Sequence, residues 1–180
     1  RQEMEIDIPA FMQAVEDVLN KTEKKLSDDE MQKIINTYQK KEQDERAAKS
    51  GNNKVDGKKF LTENKSKEGV IELPSGLQYK IVKNGEGKKP LVNSRVVVHY
   101  RGTLINGTEF DSSYARGEPI ELSLNQVIKG WQEALQLMPV GSKWQIVIPS
   151  ELAYGERGAG RVIGPNSTLI FDIELVSIKQ

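Results

Sequence analysis

The sequence predicts an α+β protein: an antiparallel sheet wrapped around one short helix, preceded by an all-α N-terminal domain and a long linker helix. Charge density falls along the chain, since 30 of residues 1–72 carry a charge but only 22 of residues 73–180 do. Apolar residues recur at helical spacing in the first stretch and mostly alternate in the second. These observations place a helical domain at 1–38, a charged linker helix at 39–72 and a second domain at 73–180.

The first predicted helix lies near the start of the chain. Asp7 can cap it, with Pro9 in its first turn. Its apolar face would consist of Phe11, Val15, Val18 and Leu19.

A second predicted helix begins with a capping box, in which Ser27 is the N-cap and Glu30 reaches back from the third helical position. Its apolar stripe would be formed by Met31, Ile34, Ile35 and Tyr38. After Tyr38 the stripe almost vanishes, and a helix that is polar all round bridges domains or is unstable alone. Gly51 and Gly57 also oppose a continuous linker helix, because each glycine costs about 1 kcal/mol in a helix interior.

These first two helices cannot bury much apolar surface by themselves, because about 35 residues are too few for an independent core. We therefore expect residues 1–38 to form a helical dimerisation domain that packs against a second copy of itself. The alternative is a solvated helical hairpin left over from truncation. Because the chain opens at Arg1 rather than Met, we interpret it as a fragment or a mature form, and the missing signal peptide says nothing about export.

The second domain is predicted to consist of strands around one helix. Alternating or β-branched runs mark strands over 77–83, 96–103, 120–124, 144–148 and 169–178. Asn106-Gly107 predicts a two-residue hairpin turn. Helical spacing predicts one short amphipathic helix with an apolar face of Trp131, Ala134, Leu135 and Met138.

The composition excludes several classes of function. Net charge is zero, so the charge pattern of a nucleic-acid binder is missing. The chain has no cysteine, which removes disulfides, thiolate catalysis and thiolate metal sites. No apolar run approaches the roughly 20 residues of a membrane span.

Common catalytic motifs are missing as well. His99 is the single histidine, and its place on a predicted strand favours a structural role. No Gly-x-Ser-x-Gly motif occurs. The glycine-rich segment 155–160 lacks the Lys-Ser/Thr of a phosphate loop, so a mobile hairpin loop is the better interpretation. We expect no metal and no cofactor.

What remains is a set of aromatic residues with one carboxylate beside it. The chain carries Val97-Val98-His99-Tyr100, Gly107-x-x-Phe110-Asp111-Ser112-Ser113, Val127-Ile128-x-Gly130-Trp131, Ala153-Tyr154-Gly155 and Leu169-x-Phe171-Asp172-x-Glu174-Leu175. In order and spacing these motifs resemble the FKBP-type peptidyl-prolyl cis-trans isomerases over about 76–179. Segments 112–119 and 134–139 are similar to the bacterial macrophage infectivity potentiator (Mip) subgroup and its periplasmic relatives. That subgroup carries an N-terminal helical dimerisation domain and a long connecting helix.

The resemblance implies a set of site residues. The catalytic candidates are Phe110, Asp111, Trp131, Tyr154 and Phe171, and the substrate-binding candidates are Tyr100, Arg116, Ile120, Val127, Ile128, Val162 and Ile163. Trp131 would form the floor of an FKBP-like pocket, and Tyr154 and Asp111 would present polar groups to the substrate carbonyl. The Ile128 N–H would anchor the residue after proline, and Arg116 would hold Asp111.

This chain also departs from the family pattern. Leu122 stands where the family usually has Phe, and Ile120 replaces an aromatic of the small single-domain members. Segment 159–165 lacks their His and their double Pro. We expect these changes to affect macrolide affinity and sequence preference more than activity.

The implied function is prolyl isomerisation of folding proteins, with chaperone activity as a dimer. The alternative is a dimeric folding chaperone with a weak or inactive pocket. Expected partners are proline-containing unfolded or partly folded proteins, macrolides such as rapamycin as inhibitors, and a second copy of the chain. Subgroup resemblance implies a periplasmic or outer-membrane location. A cytoplasmic location is the alternative, because a cytoplasmic relative shares the pattern over 151–160.

Overall fold

The structure, a computed structural model, describes residues 12, 16 and 27–179. The residues named for the first predicted helix lie outside the described residues: Asp7, Pro9, Phe11, Val15, Val18 and Leu19. The chain divides into two compact units, residues 1–48 and 49–180. The domain boundaries at 38 and 72 stay a prediction.

Helix α1 spans Asp28–Asn64 and is 37 residues long. It begins with the capping box expected from the sequence: the Ser27 N–H donates to Glu30 Oε2 at 2.9 Å, and the Glu30 N–H donates to Ser27 Oγ at 3.3 Å. The helix passes Gly51 and Gly57 without a break. Among the described residues, no helix combines the length and apolar character that crossing a membrane requires.

Seven antiparallel strands form one sheet in the order β1-β2-β6-β7-β3-β4, with β5 paired to β3. The strands are β1 (Val70–Glu72), β2 (Gln78–Lys83), β3 (Arg95–Leu104), β4 (Glu109–Ser112), β5 (Ile120–Ser123), β6 (Lys143–Ile148) and β7 (Leu169–Lys179). The first half of β3 pairs with β5 and its second half with β4, while β7 runs along its whole length.

The core lies between this sheet and helix α3 (Lys129–Leu137). The face of α3 buries Trp131, Ala134 and Leu135, as the spacing predicts. The alternation of β7 buries Leu169, Phe171, Ile173 and Leu175. The predicted α+β fold is confirmed, with one addition: a single-turn helix, α2 (Ser113–Arg116), follows β4.

Three local predictions were wrong. The linker helix was predicted over 39–72, but α1 ends at Asn64 and Val70–Glu72 form strand β1.

The other two concern the β3–β4 connection and strand β2. The β3–β4 connection is a three-residue loop: the Gly107 N–H donates to Leu104 O, and the Leu104 N–H donates to Thr108 O, both at 2.9 Å. Gly107 has φ 87° and Asn106 has a negative φ, which excludes the two-residue turn with two left-handed residues. On β2, Gln78 is fully buried and Ile81 is 40% exposed, against the predicted alternation.

Candidate functional site

A cavity of about 520 Å³ opens between the sheet, α3 and the β6–β7 connection. Aromatic rings form much of its lining: Tyr100, Phe110, Trp131, Tyr154 and Phe171. The aliphatic and glycine lining consists of Ile120, Leu122, Val127, Ile128, Ala159, Gly160, Val162 and Ile163. The polar lining consists of Asp111, Gln126 and Arg161.

Four of the aromatic rings that line the cavity contact one another edge to face. The Trp131 ring lies 5.2 Å from both Tyr100 and Phe171, at interplanar angles of 81° and 82°. Phe110 meets Phe171 at 5.5 Å and 83°. This is the arrangement that aromatic quadrupoles favour, so the walls are preorganised. Gly102 makes it possible, because a Cβ there would lie 2.5 Å from the Phe110 ring and 2.8 Å from the Phe171 ring.

A hydrogen-bonded triad of Tyr100, Asp111 and Arg116 forms the polar side of the cavity. The Tyr100 hydroxyl donates to Asp111 Oδ2. Arg116 Nη1 donates to Asp111 Oδ1 at 2.5 Å, and Nη2 donates to the Tyr100 oxygen at 2.8 Å. Arg116 does not line the cavity itself but contacts both groups that do.

The triad keeps Asp111 ionised at neutral pH. Burial alone would raise the pKa of the Asp111 carboxyl, but hydrogen bonds from Tyr100 and Arg116 and the guanidinium charge outweigh burial. The pKa of Asp111 therefore lies below its ordinary value of 3.8. Burial and the bond to Asp111 raise the pKa of Tyr100 above its ordinary 10.0, so Tyr100 stays a hydrogen-bond donor.

The single-turn helix α2 places Arg116. The Ser112 hydroxyl caps it by accepting the Ala115 N–H at 3.3 Å, and Gly117, with φ 79°, ends it. Since Ser112 follows Asp111 directly, carboxylate and guanidinium are brought together over five residues of chain. Local sequence thus determines this ion pair.

Tyr154 and Ile128 offer donors at the cavity edge. Tyr154 is 40% exposed, and burial together with the Asp111 charge raises its pKa. No described residue accepts a hydrogen bond from its hydroxyl in this structure. Ile128 precedes α3, where its carbonyl accepts the N–H groups of Trp131 and Gln132 at 3.0 and 3.1 Å.

Eleven of the twelve residues expected from the sequence line this one cavity, and the twelfth, Arg116, contacts two of them. Sequence reasoning missed Gln126, Ala159, Gly160 and Arg161 as lining, and noted Leu122 only as a departure. The alternation of Leu122 with Ile120 was a usable signal. Loop residues such as Arg161 have no periodicity that could have revealed them.

His99 lies outside the lining. Its Nδ1 is 3.1 Å from Ser113 Oγ, and its ring stacks on Tyr114 at 4.8 Å. Among residues 12, 16 and 27–179, no group of His, Asp and Glu side chains is arranged to hold a metal ion.

Comparison with known proteins decides the family. A family model described as FKBP-type peptidyl-prolyl cis-trans isomerase matches residues 86–176, and one described as the domain amino terminal to it matches residues 1–81. The chain belongs to the FKBP-type peptidyl-prolyl cis-trans isomerases. The resemblance and the enzyme class expected from the sequence are thereby confirmed.

Individual FKBP-type relatives match most of the chain. It is 44% identical to the outer membrane protein MIP of Legionella longbeachae, over 99% of this chain and 78% of that protein. It is 60% identical to the 22 kDa FKBP-type isomerase of Escherichia coli K12, over 69% of this chain and 60% of that protein. The crystal structure of FkpA from Escherichia coli superposes with a TM-score of 0.78 at 38% identity, covering 97% of this chain and 83% of that one.

Proposed function

We propose that this FKBP-type enzyme isomerises X–Pro bonds of folding proteins in the aromatic cavity, and that it acts as a homodimeric chaperone through residues 1–38, with 39–72 as the linker to the isomerase domain. The observation that carries the first part is a cavity with five aromatic rings and one carboxylate held by two donors. Rotation about an X–Pro bond breaks no covalent bond, so a site without a nucleophile suffices.

The cavity favours the twisted amide over the planar one. The planar ground state is resonance-stabilised and strongly dipolar, so it loses more than the twisted transition state when water is removed. Desolvation by the aromatic lining therefore acts as differential binding. It works against a barrier near 20 kcal/mol and an uncatalysed time of tens to hundreds of seconds.

Each group has a place in this proposal. The proline ring lies on the Trp131 floor, against Tyr100, Phe110 and Phe171. The Ile128 N–H donates to the carbonyl of the residue after proline. The Tyr154 hydroxyl donates to a substrate carbonyl, while the Asp111 carboxylate faces the carbon of the rotating amide. Aliphatic contacts come from Ile120, Val127, Val162 and Ile163.

Wild-type protein is expected to accelerate cis-to-trans conversion of an Ala-Leu-Pro-Phe peptide, and rapamycin is expected to compete. The cavity volume of about 520 Å³ falls within the range of about 300–1,000 Å³ that is typical of small-molecule sites. We expect kcat/KM to be flat from about pH 5 to 8, because the pKa of Asp111 is lowered and those of Tyr100 and Tyr154 are raised. The charged carboxylate is lost only as the pH falls through the lowered pKa of Asp111.

A protease-coupled or NMR exchange assay at several pH values measures this rate. A kcat/KM that changes strongly between pH 5 and 8 would contradict the proposed triad, because neither the lowered pKa of Asp111 nor the raised pKa values of Tyr100 and Tyr154 fall in that range. A folded protein with no turnover would leave the alternative, a chaperone with an inactive pocket.

The dimer is proposed from the apolar stripe on α1. Ile34, Ile35 and Tyr38 are 56%, 48% and 42% exposed in the single chain, and they recur at helical spacing in an otherwise polar helix. Covering such a stripe with its copy removes apolar surface from water. In the full chain, Ile34→Lys with Ile35→Lys is expected to give a monomer that no longer suppresses aggregation of an unfolded protein but still turns over the peptide.

Sedimentation velocity and an aggregation assay check this expectation. Asn36→Lys with Gln43→Lys adds the same charge at exposed positions on the opposite side of the helix, and should change neither result. If the Ile34/Ile35 variant stays dimeric, the stripe is not the interface.

A periplasmic or outer-membrane location is also proposed for this chain. Its support is the similarity to a protein named as an outer membrane protein in Legionella longbeachae and to FkpA proteins of Gram-negative bacteria. Cell fractionation of the native host, probed with an antibody against this chain, tests it.

A further inference from the structure

The second half of α1 is bonded to the segment that follows the cavity loop. Both belong to the compact unit 49–180. Asn53 Nδ2 donates to the Pro165 carbonyl at 2.8 Å and to Ser167 Oγ at 3.3 Å. One turn earlier, Ser50 Oγ accepts from Asn166 Nδ2 at 2.6 Å. Three consecutive residues of the β6–β7 connection are therefore held by one face of the helix.

The helix backbone also comes unusually near Thr168, the residue before β7. A Cβ added at Gly57 would lie 2.4 Å from Thr168 Oγ1 and 3.3 Å from Thr168 Cβ. Real Cβ atoms essentially never show the shorter distance, so an alanine at position 57 would force Thr168 or the helix to shift. At Gly51, on the same helix, an added Cβ would meet nothing within 4 Å.

Asn166 connects the helix to the cavity. It is 4% exposed, and its φ of 55° is left-handed, which no other described residue except glycine shows. Asparagine tolerates this conformation better than most residues. Its backbone N–H donates to the Gly155 carbonyl at 2.8 Å. Gly155 directly follows Tyr154, whose hydroxyl lies at the cavity edge.

The chain between Gly155 and Asn166 forms one wall of the cavity. Ala159 and Ile163 exchange backbone hydrogen bonds at 2.9 and 3.2 Å, which closes a short loop whose members line the cavity. Two residues after Ile163 the helix contacts begin, at Pro165. The position of this wall therefore depends on where α1 holds residues 165–168.

We propose that Ser50, Asn53 and Gly57 of α1 are positioning residues of the isomerase: they fix residues 165–168 and, through Asn166, the placement of Tyr154 and the loop that ends at Ile163. The inference rests on the proposed function of the cavity. Under this proposal, the last four turns of α1 help to set the geometry of the catalytic site.

The two glycines of α1 give a matched test in the full chain. Alanine raises helix propensity similarly at both positions, but only at Gly57 does the new methyl group meet Thr168. Gly51→Ala is expected to leave kcat, KM and rapamycin affinity unchanged. Gly57→Ala is expected to lower kcat about fivefold or more, which is about 1 kcal/mol, in protein that still binds one rapamycin per chain.

Rescue separates positioning from a general loss of stability. Gly57→Ala combined with Thr168→Ala removes the overlapping hydroxyl and should recover most of the lost kcat. Asn53→Ala removes two hydrogen bonds without any steric overlap, and it should also lower kcat. This variant replaces Gly57→Ala as the test if Gly57→Ala fails to fold.

The outcomes distinguish the two proposals. Active wild-type protein with folded Gly57→Ala and Asn53→Ala variants that stay within twofold of its kcat would overturn the positioning role and leave the cavity function intact. Wild-type protein without turnover would overturn the cavity function, and the positioning role with it. A Gly51→Ala variant that loses as much kcat as Gly57→Ala would also refute the positioning role.

Discussion

Asp111→Ala is expected to slow peptide isomerisation about ten- to a hundredfold in kcat/KM, equivalent to about 1.4–2.7 kcal/mol of transition-state free energy. The carboxylate is held at the cavity by the Tyr100 hydroxyl and the Arg116 guanidinium. Under the proposed mechanism, removing it takes away the fixed negative charge beside the rotating amide, and it also frees Arg116 to move. We expect the loss to fall mainly on kcat, because the rings that are proposed to bind the proline remain.

The fold should survive this change. Asp111 and Arg116 side chains are each 44% exposed, so neither partner is left as a buried charge, and exposed pairs contribute about 0–1 kcal/mol. Because the folded-state pKa of Asp111 is lowered, its contribution to stability is present above the unfolded pKa and is lost as pH falls through the folded pKa. The stability difference from wild type should therefore shrink in acid.

Glu109→Ala is the matched control for this prediction. Glu109 lies on the same strand β4 and also pairs with an arginine, Arg101, at 2.6 Å. It does not line the cavity. If both variants show the same kcat/KM in the peptide assay, Asp111 has no special role, and the proposed polar side of the cavity is wrong.

Trp131→Ala is expected to be the more damaging change for the fold, with a loss of about 3–5 kcal/mol in the free energy of unfolding. The indole is 5% exposed and contacts the Tyr100 and Phe171 rings edge to face. Its removal opens a space at the point where core and cavity meet. Turnover should fall as well, because the proline ring would lose the indole on which it is proposed to lie.

Urea unfolding and the peptide assay on the same samples measure both effects. Trp131→Phe is the useful comparison, since it keeps an apolar ring. It also removes an indole N–H that is buried without a hydrogen-bond partner among the described residues, so it loses no bond. A Trp131→Ala variant with near wild-type stability would show that the floor is not part of the core.

Much of this fold follows from local pattern. Alternation predicted β7, and helical spacing predicted the buried face of α3 around Leu135. Where the burial of a residue differs from the prediction, the cause is a contact with a distant part of the chain. Gln78 is buried because its side chain bonds Asn64 at 2.9 Å and the Leu61 carbonyl at 2.8 Å, both on α1. A strand's own alternation contains no information about a helix that lies across its face.

The helix shows the same limit. The sequence predicted that Gly51 and Gly57 would oppose a continuous helix, but α1 runs through both. At Gly57 the glycine lies against Thr168, more than 100 positions later in the chain. The candidate site was accessible to sequence reasoning for a different reason. Its motifs keep a family order and spacing, so distant residues such as Tyr100 and Phe171 could be assigned to one cavity without a physical account of their contact.

The pairing of β3 with β7 determines when the cavity can form during folding. Every residue from Arg95 to Leu104 lies opposite one between Leu169 and Lys179, so the middle of the sheet joins segments about 70 residues apart. Such non-local pairing slows folding. Phe171, on that last strand, also completes the aromatic lining. During synthesis the cavity therefore cannot assemble until Phe171 and the rest of β7 have left the ribosome, so the proposed isomerase site depends on a strand that is made well after β3.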